Sequence, residues 1–158
     1  MIVLGVDPGI NNTGYGIIKY DSKKNLLETV DYGVISPKRN WTTPKKLSFI
    51  YDSILNKIDE FNVDVLSLEK SFYGKNVQVI ITMSQARAIV ILAGYKKGLD
   101  IFEYSPKEVK KVITSYGGAL KSQVRYMVDT TLNIDTSKEK YDVSDALAIA
   151  LCHVYREG

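Results

Sequence analysis

Four acidic residues stand where strands end or a helix begins: Asp7, Glu69, Asp142 and Asp145. Brought to one point, four carboxylates repel one another and raise each other's pKa. A divalent cation removes that penalty. A ligand set made only of oxygen suits Mg²⁺, with Mn²⁺ able to substitute. Two such ions, about 3.5–4 Å apart, can activate a water and stabilise the leaving oxygen in phosphodiester cleavage. Taken singly, each residue also has a plainer reading. Asp7-Pro8-Gly9 makes a turn after a strand, and Glu69 is a solvated strand end. Asp142 and Asp145 fit an N-cap and a favourable helix-dipole charge. Only their joint placement points to a metal site.

The elements that must position them can be read from periodicity. Residues 2–7 (IVLGVD) form an apolar run that ends on Asp7. Residues 13–20 and 27–36 read as two further strands, joined by the polar turn Asp21–Asn25 into an antiparallel meander. Thr43 then reads as an N-cap and Pro44 as a first helical residue, followed by an apolar stripe from Leu47 to Phe61. Val63–Leu68 is a short buried strand with Glu69 at its end. Val77–Lys97 has helical length but is apolar on nearly every side, so it needs cover on two faces, one from the sheet and the other from a second copy of the chain or from loops over a core helix. Ile101–Tyr104 is the fifth strand. Ser105-Pro106-Lys107-Glu108 reads as a capping box. Val109, Val112, Ile113 and Tyr116 give the helix after it a buried stripe that Gly117-Gly118 closes. Helices follow over 122–132 and 142–155. The expectation is an α/β protein with a five-stranded mixed sheet, three antiparallel strands and then a βαβ arrangement, flanked by helices. If strands one and four are parallel neighbours, Asp7 and Glu69 leave the sheet at the same edge. Asp142 and Asp145, three residues apart, share one face near a helix start.

The chain has 158 residues, which fits one domain over 1–158. The composition is ordinary for a globular protein, and the net charge of +3 permits nucleic-acid binding without arguing for it. One cysteine, Cys152, excludes an internal disulfide, and it reads as a packed thiol. With His153 as its only neighbour of that kind, a zinc site is not expected. The absence of a leader-like start and the polar interruptions at Gln78, Thr82, Ser84, Gln85 and Arg87 lead to an expectation of no membrane span and a cytoplasmic location.

Read together, these segments resemble the RuvC family of Holliday junction resolvases. The matching residues are Gly5-Val6-Asp7-Pro8-Gly9 with Thr13-Gly14-Tyr15-Gly16, then Leu68-Glu69 with Phe72 and Lys75-Asn76. Further on come Gln85-Ala86-Arg87, Phe102-Glu103-Tyr104, Val109-Lys110, Lys121-Ser122-Gln123-Val124, and Asp142 through Ala150. The match runs nearly end to end and in order. It implies a ribonuclease H-like fold, a homodimer, and Mg²⁺-dependent paired cuts in two strands of a four-way DNA junction, with two ions per subunit. It makes Asp7, Glu69, Asp142 and Asp145 the acidic metal ligands and catalytic residues. The family varies at the third of these, where some members carry His. Ser144 stands where many carry Ala, a departure not expected to affect chemistry. The resemblance also implies partnership with a RuvA–RuvB branch-migration complex.

DNA-binding candidates come from both sources. Phe72 and Tyr73, shortly after Glu69, could stack on an unpaired base or plug a subunit interface. Lys110 and Lys121 match family lysines, and Lys121 follows a glycine pair that would let backbone approach a phosphate. Lys75 and Arg87 complete the set. A nuclease of the same fold acting on RNA or RNA–DNA hybrid shares the carboxylates and is the alternative. A two-domain phosphate-loop ATPase would fit Asp7-Pro8-Gly9, but not a chain of this length.

Overall fold

A computed structural model describes residues 1–70 and 76–158. Five strands form one sheet: β1 (Ile2–Asp7), β2 (Thr13–Asp21), β3 (Leu26–Ile35), β4 (Val65–Glu69) and β5 (Asp100–Tyr104), in the order β3-β2-β1-β4-β5. β1, β2 and β3 are antiparallel, whereas β4 runs parallel to β1 and β5 parallel to β4. The mixed sheet is the one expected. Five helices accompany it: α1 (Thr43–Phe61), α2 (Val77–Lys96), α3 (Pro106–Thr114), α4 (Lys121–Leu132) and α5 (Tyr141–Glu157). α1 and α2 cover one face, on Leu4, Val6, Ile17, Leu66 and Leu68. α5 covers the other face, with α3 and α4 packed outside it around Val3, Ile18 and Tyr104.

α5 is buried from Val143 through Val154 except at Asp145, because it lies between the sheet and two further helices. The strand residues beneath it are unusually small. Gly5 pairs with Gly16 and with Ser67, and Asp7 pairs with Gly14, so these residues share one sheet face. A Cβ on Gly5 would stand 2.7 Å from the Ala150 nitrogen, one on Gly16 2.5 Å from Leu147 Cδ2, and one on Gly14 2.9 Å from Asp142 Cβ. The helix therefore rests on backbone. Ser67, buried in the same floor, donates to the Ile149 carbonyl at 3.2 Å, which satisfies its hydroxyl.

Several local expectations shift. The cap of α1 is Thr42 instead of Thr43, and its side chain makes no capping hydrogen bond. Pro44 still occupies the first turn, where its missing N–H has no cost. The capping box of Ser105 and Glu108 forms as read. Its helix ends earlier, however: Ser115 takes a left-handed conformation, φ 62°, and the Thr114 hydroxyl binds the Lys110 and Tyr116 carbonyls. Tyr116 is thereby thrown off the helical stripe and is 66% exposed, not buried. α2 is covered on one face only, through Ala86, Val90, Ala93 and Gly94. Among the described helices it alone is long and apolar enough to cross a membrane. Here it docks on the sheet, with Gly94 against Leu66 and Arg87 ion-paired with Glu103 of β5.

Cys152 is buried and free, and burial pushes its thiol up to about 11. His153 is buried as well. Its Nδ1 lies 2.9 Å from the Tyr104 hydroxyl and its ring packs on Phe102 at 4.5 Å. Burial holds its pKa below the usual value, so the neutral ring is a satisfied core residue.

Candidate active site

Parallel pairing of β1 with β4 sets Val6 beside Leu68, and the next residues, Asp7 and Glu69, end both strands at one edge. The same sheet face carries α5, whose N-terminal end reaches that edge. Gly14, the cross-strand partner of Asp7, lies under Asp142. Asp142 and Asp145 lie in the first two turns of α5. Neither is its N-cap, which is Lys140. The structure thus brings the four carboxylates from three separated segments to one end of the sheet.

Their electrostatic coupling follows. Asp7 is pushed up to about 7, first by burial and then by the charges of Asp145, Glu69 and Asp142, against a smaller opposing pull from Lys121. Glu69 is raised by burial and by Asp145, with Lys121 and Lys110 acting the other way. Lys121, at the start of α4, places Nζ 2.7 Å from Asp145 Oδ2. Burial works against its charge, but the bond to Asp145 and the neighbouring carboxylates raise its pKa overall. A cleft of about 160 Å³ opens beside these groups, lined by Glu69, Lys110, Lys121 and Asp145 over an apolar base that includes Val109 and Val124. Lys110 and Lys121 therefore both stand at the carboxylates.

Among the described residues, no group of three or more Asp, Glu, His or Cys side chains is gathered tightly enough to hold a metal ion as it stands. The donor chemistry nevertheless fits one. All four groups are hard oxygen ligands, and Asp7 has an anionic form that is penalised until positive charge arrives. Lys121 meets part of that demand through Asp145.

The remaining candidates divide. Phe72, Tyr73 and Lys75 lie outside the described residues. Arg87 is not brought to the carboxylates: its partner Glu103 pairs with Leu68 in register and points to the α1–α2 side of the sheet. Sequence reasoning also passed over groups that hold the site's frame. Arg125 stacks over Tyr141, with its guanidinium carbon 3.9 Å from the ring centroid, and donates to Ser144 Oγ at 3.3 Å and to the Glu139 carbonyl at 2.9 Å. Ser144 in turn donates to the Tyr141 carbonyl at 3.0 Å. The serine that departs from the commoner alanine is thus part of the clasp that fixes the first turn of α5. In the β1–β2 turn, Thr13 Oγ1 donates to the Gly9 carbonyl at 2.7 Å and fixes the backbone just beyond Asp7. The only sequence sign of either device was a polar residue inside an apolar helix and a threonine after a turn.

A five-stranded sheet in this order, with a helix laid across it and carboxylates at the ends of β1 and β4, places the chain in the ribonuclease H-like fold class. Known proteins narrow this further. The family model for crossover junction endodeoxyribonuclease RuvC matches residues 3–153. A protein of that description from Ruminiclostridium cellulolyticum is 39% identical over 153 residues, 97% of this chain and 91% of that protein. One from Chloroherpeton thalassium is 43% identical over 158 residues, 100% of this chain and 84% of the other. Among solved structures, Thermus thermophilus RuvC superposes with a TM-score of 0.88 at 25% identity, covering 98% of this chain and 94% of its own. The fowlpox virus Holliday junction resolvase shares the fold alone, with a TM-score of 0.62 at 19% identity and 98% of each chain covered. The chain belongs to the RuvC family of crossover junction endodeoxyribonucleases.

Proposed function

We propose that this protein resolves four-way DNA junctions by metal-dependent, paired nicks in two strands of like polarity, with Asp7, Glu69, Asp142 and Asp145 as the ligand set. The observation that carries this reading is the mutual charge coupling of Asp7 with the other three at the sheet end, in a chain of this family. Two Mg²⁺ ions, replaceable by Mn²⁺, would supply charge neutralisation of the scissile phosphate and activation of water there. The protein's own part is to place the ligands, to keep the Asp7 carboxylate partly desolvated, and to present Lys110 and Lys121 to phosphate oxygens beside the cleft. A nuclease for RNA–DNA hybrid would share the carboxylates but not the family. The test incubates the protein with a synthetic four-way junction, a linear duplex and an RNA–DNA hybrid, in Mg²⁺ or in EDTA. Symmetric nicks confined to the junction and to Mg²⁺ are expected, and cutting of the hybrid instead would overturn the reading.

Lys121 spans both halves of this machinery. Lys121→Gln is expected to lower the slope of log affinity against log salt by about one, as loss of one phosphate contact should. It should also raise the Mg²⁺ affinity of the site, because an ammonium no longer competes at Asp145. Fluorescence-anisotropy titrations and calorimetry with Mg²⁺ check the two effects separately.

A junction has approximate two-fold symmetry, and an isologous dimer supplies two matched sites. We place the dimer interface on α2, whose outer face leaves Val77, Ile81, Leu92 and Tyr95 exposed. A contiguous apolar surface of this kind marks a contact. The double change Ile81→Asp with Leu92→Asp should halve the mass measured by light scattering and convert paired nicks into single ones. An unchanged mass would remove α2 from the interface. Work in the cytoplasm, beside a RuvA–RuvB branch-migration complex, belongs to the same reading.

A further inference from the structure

The carboxylates and the lysines of α3 and α4 occupy the β1–β4–β5 side of the sheet end. A second basic surface lies on the β2–β3 side, away from those lysines. Residues 36–51 (SPKRNWTTPKKLSFIY) contain four cations, Lys38, Arg39, Lys45 and Lys46, and no acidic residue. The first turn of α1 has none either, although a helix start favours acids. Lys45 Nζ stands 4.5 Å and Lys38 Nζ 5.9 Å from the Trp41 ring centroid, so both are gathered on one indole, which itself leans edge-on against Phe49 at 5.5 Å.

This surface is tied to the turn beyond Asp7. Lys46 Nζ donates to Asn11 Oδ1 at 2.8 Å, and Lys140 Nζ, one residue before α5, donates to Asn12 Oδ1 at 2.6 Å. Asn12 Oδ1 also accepts from Ser36 Oγ at 3.0 Å, which binds the end of β3 to the same turn. These partners are neutral amides, so they orient the ammonium groups without cancelling their charge. The ion pairs among the described residues engage the N-terminal amine, Lys57, Arg87, Lys97, Lys121 and Arg156, and none involves Lys38, Arg39, Lys45, Lys46 or Lys140. On a chain whose net charge is only +3, five uncompensated cations on one surface are a concentrated field.

We propose that Lys38, Arg39, Lys45, Lys46 and Lys140 form a contact for the phosphate backbone of a DNA duplex arm, on the opposite flank of the carboxylates from Lys110 and Lys121. The inference rests on the nuclease reading for the strand entering the site, and it adds where the departing arm lies. Asn11 and Asn12 serve as positioning residues that hold two of the ammonium groups. Lysines that meet phosphate as point charges fix register on the duplex without reading sequence.

The test measures binding of a four-way junction with long arms and of a linear duplex, in EDTA, across a salt series. The triple variant Lys38→Gln, Lys45→Gln, Lys46→Gln should bind both DNAs about tenfold or more weakly near 150 mM salt, with the log–log salt slope reduced by roughly two to three. The matching Lys→Arg triple should keep the wild-type slope, which a merely structural role for the amines would not require. Trp41 is the only tryptophan, so its emission reports on this surface directly, and it should change as either DNA saturates the wild-type protein. A Gln variant with wild-type slope and affinity on both DNAs, or silent Trp41 emission at saturation, overturns the proposal. Because a backbone contact is blind to branching, slope loss on duplex supports it even if the wild type shows no preference for the junction. That missing preference would count against the resolvase reading alone.

Discussion

Asp7→Asn is expected to abolish junction cleavage while making the metal-free protein more stable. Removing groups that merely orient metal ligands commonly costs tenfold to a hundredfold. Loss of a ligand at the centre of the set should therefore cost on the order of 10³-fold or more. Junction binding should persist, since it depends on cations and apolar contacts elsewhere. The stability effect has the opposite sign. Asp7 is raised from 3.8 to about 7 in the folded protein, so the fold favours its protonated form. Its contribution is complete below the unfolded value, near pH 4, and is lost as pH rises through about 7. The shift corresponds to roughly 4 kcal/mol as a ceiling, and relaxation around a partly solvated group brings this nearer to about 2 kcal/mol. In EDTA the wild type should therefore melt lower at pH 8 than at pH 5, and the asparagine variant should lack most of that decline. Adding Mg²⁺ at pH 8 should raise the wild-type melting point and leave the variant nearly unmoved. Identical pH profiles for the two proteins in EDTA would mean that Asp7 is not electrostatically burdened.

The glycine floor under α5 gives the second large effect. Gly5→Ala sets a methyl group against the Ala146 carbonyl and the Ala150 nitrogen, which are helix backbone and cannot rotate away. Overpacking against backbone in a closed core should cost about 3 kcal/mol, at the upper end for such insertions. Gly14→Ala meets the Asp142 backbone instead, at the end of the same helix. There the helix can lift, so less stability is lost, but Asp142 moves with it. A displacement of about 1 Å at a catalytic group can cost about 10²-fold in rate. Urea denaturation and junction cleavage should therefore rank the two oppositely. Gly5→Ala is the worse for folding. Gly14→Ala, assayed well below its melting point, loses cleavage out of proportion to its stability. A folded Gly14→Ala protein with wild-type cleavage would show that α5 end placement is not critical.

Much of this architecture was legible because its signals are local. Short apolar runs ending at Asp7 and just before Glu69, the Ser105–Glu108 box and the proline start of α1 each state their own geometry. The convergence of the carboxylates was legible once strands one and four were taken as parallel neighbours, since strand ends then coincide. What escaped were relations between elements. The floor of Gly5, Gly14 and Gly16 reads along the chain as scattered glycine, and only cross-strand register turns it into a bed for one helix. The clasp of Arg125 on Tyr141 and Ser144 joins residues on two helices with no shared period. The early end of α3 rests on Thr114 binding the Lys110 and Tyr116 carbonyls, ahead of the glycine pair that was expected to close the helix. Arg87, a candidate DNA contact, stands on the far face of the sheet beside Glu103, a placement set by which side of β5 an odd-numbered residue takes.

The exposed row along α2 has a consequence for how much enzyme is present at all. With the pairing on α2 that we propose, a lone protomer would keep Val77, Ile81, Leu92 and Tyr95 in water, and the free energy of covering them would be released only on association. Folding and pairing would then be one equilibrium, governed by the number of copies in the cell. When copies are scarce, the protein is both less stable and less often paired, so the power to cut falls faster than its concentration. A nuclease paired in this way would have a dilution threshold, and scarcity by itself would protect intact DNA.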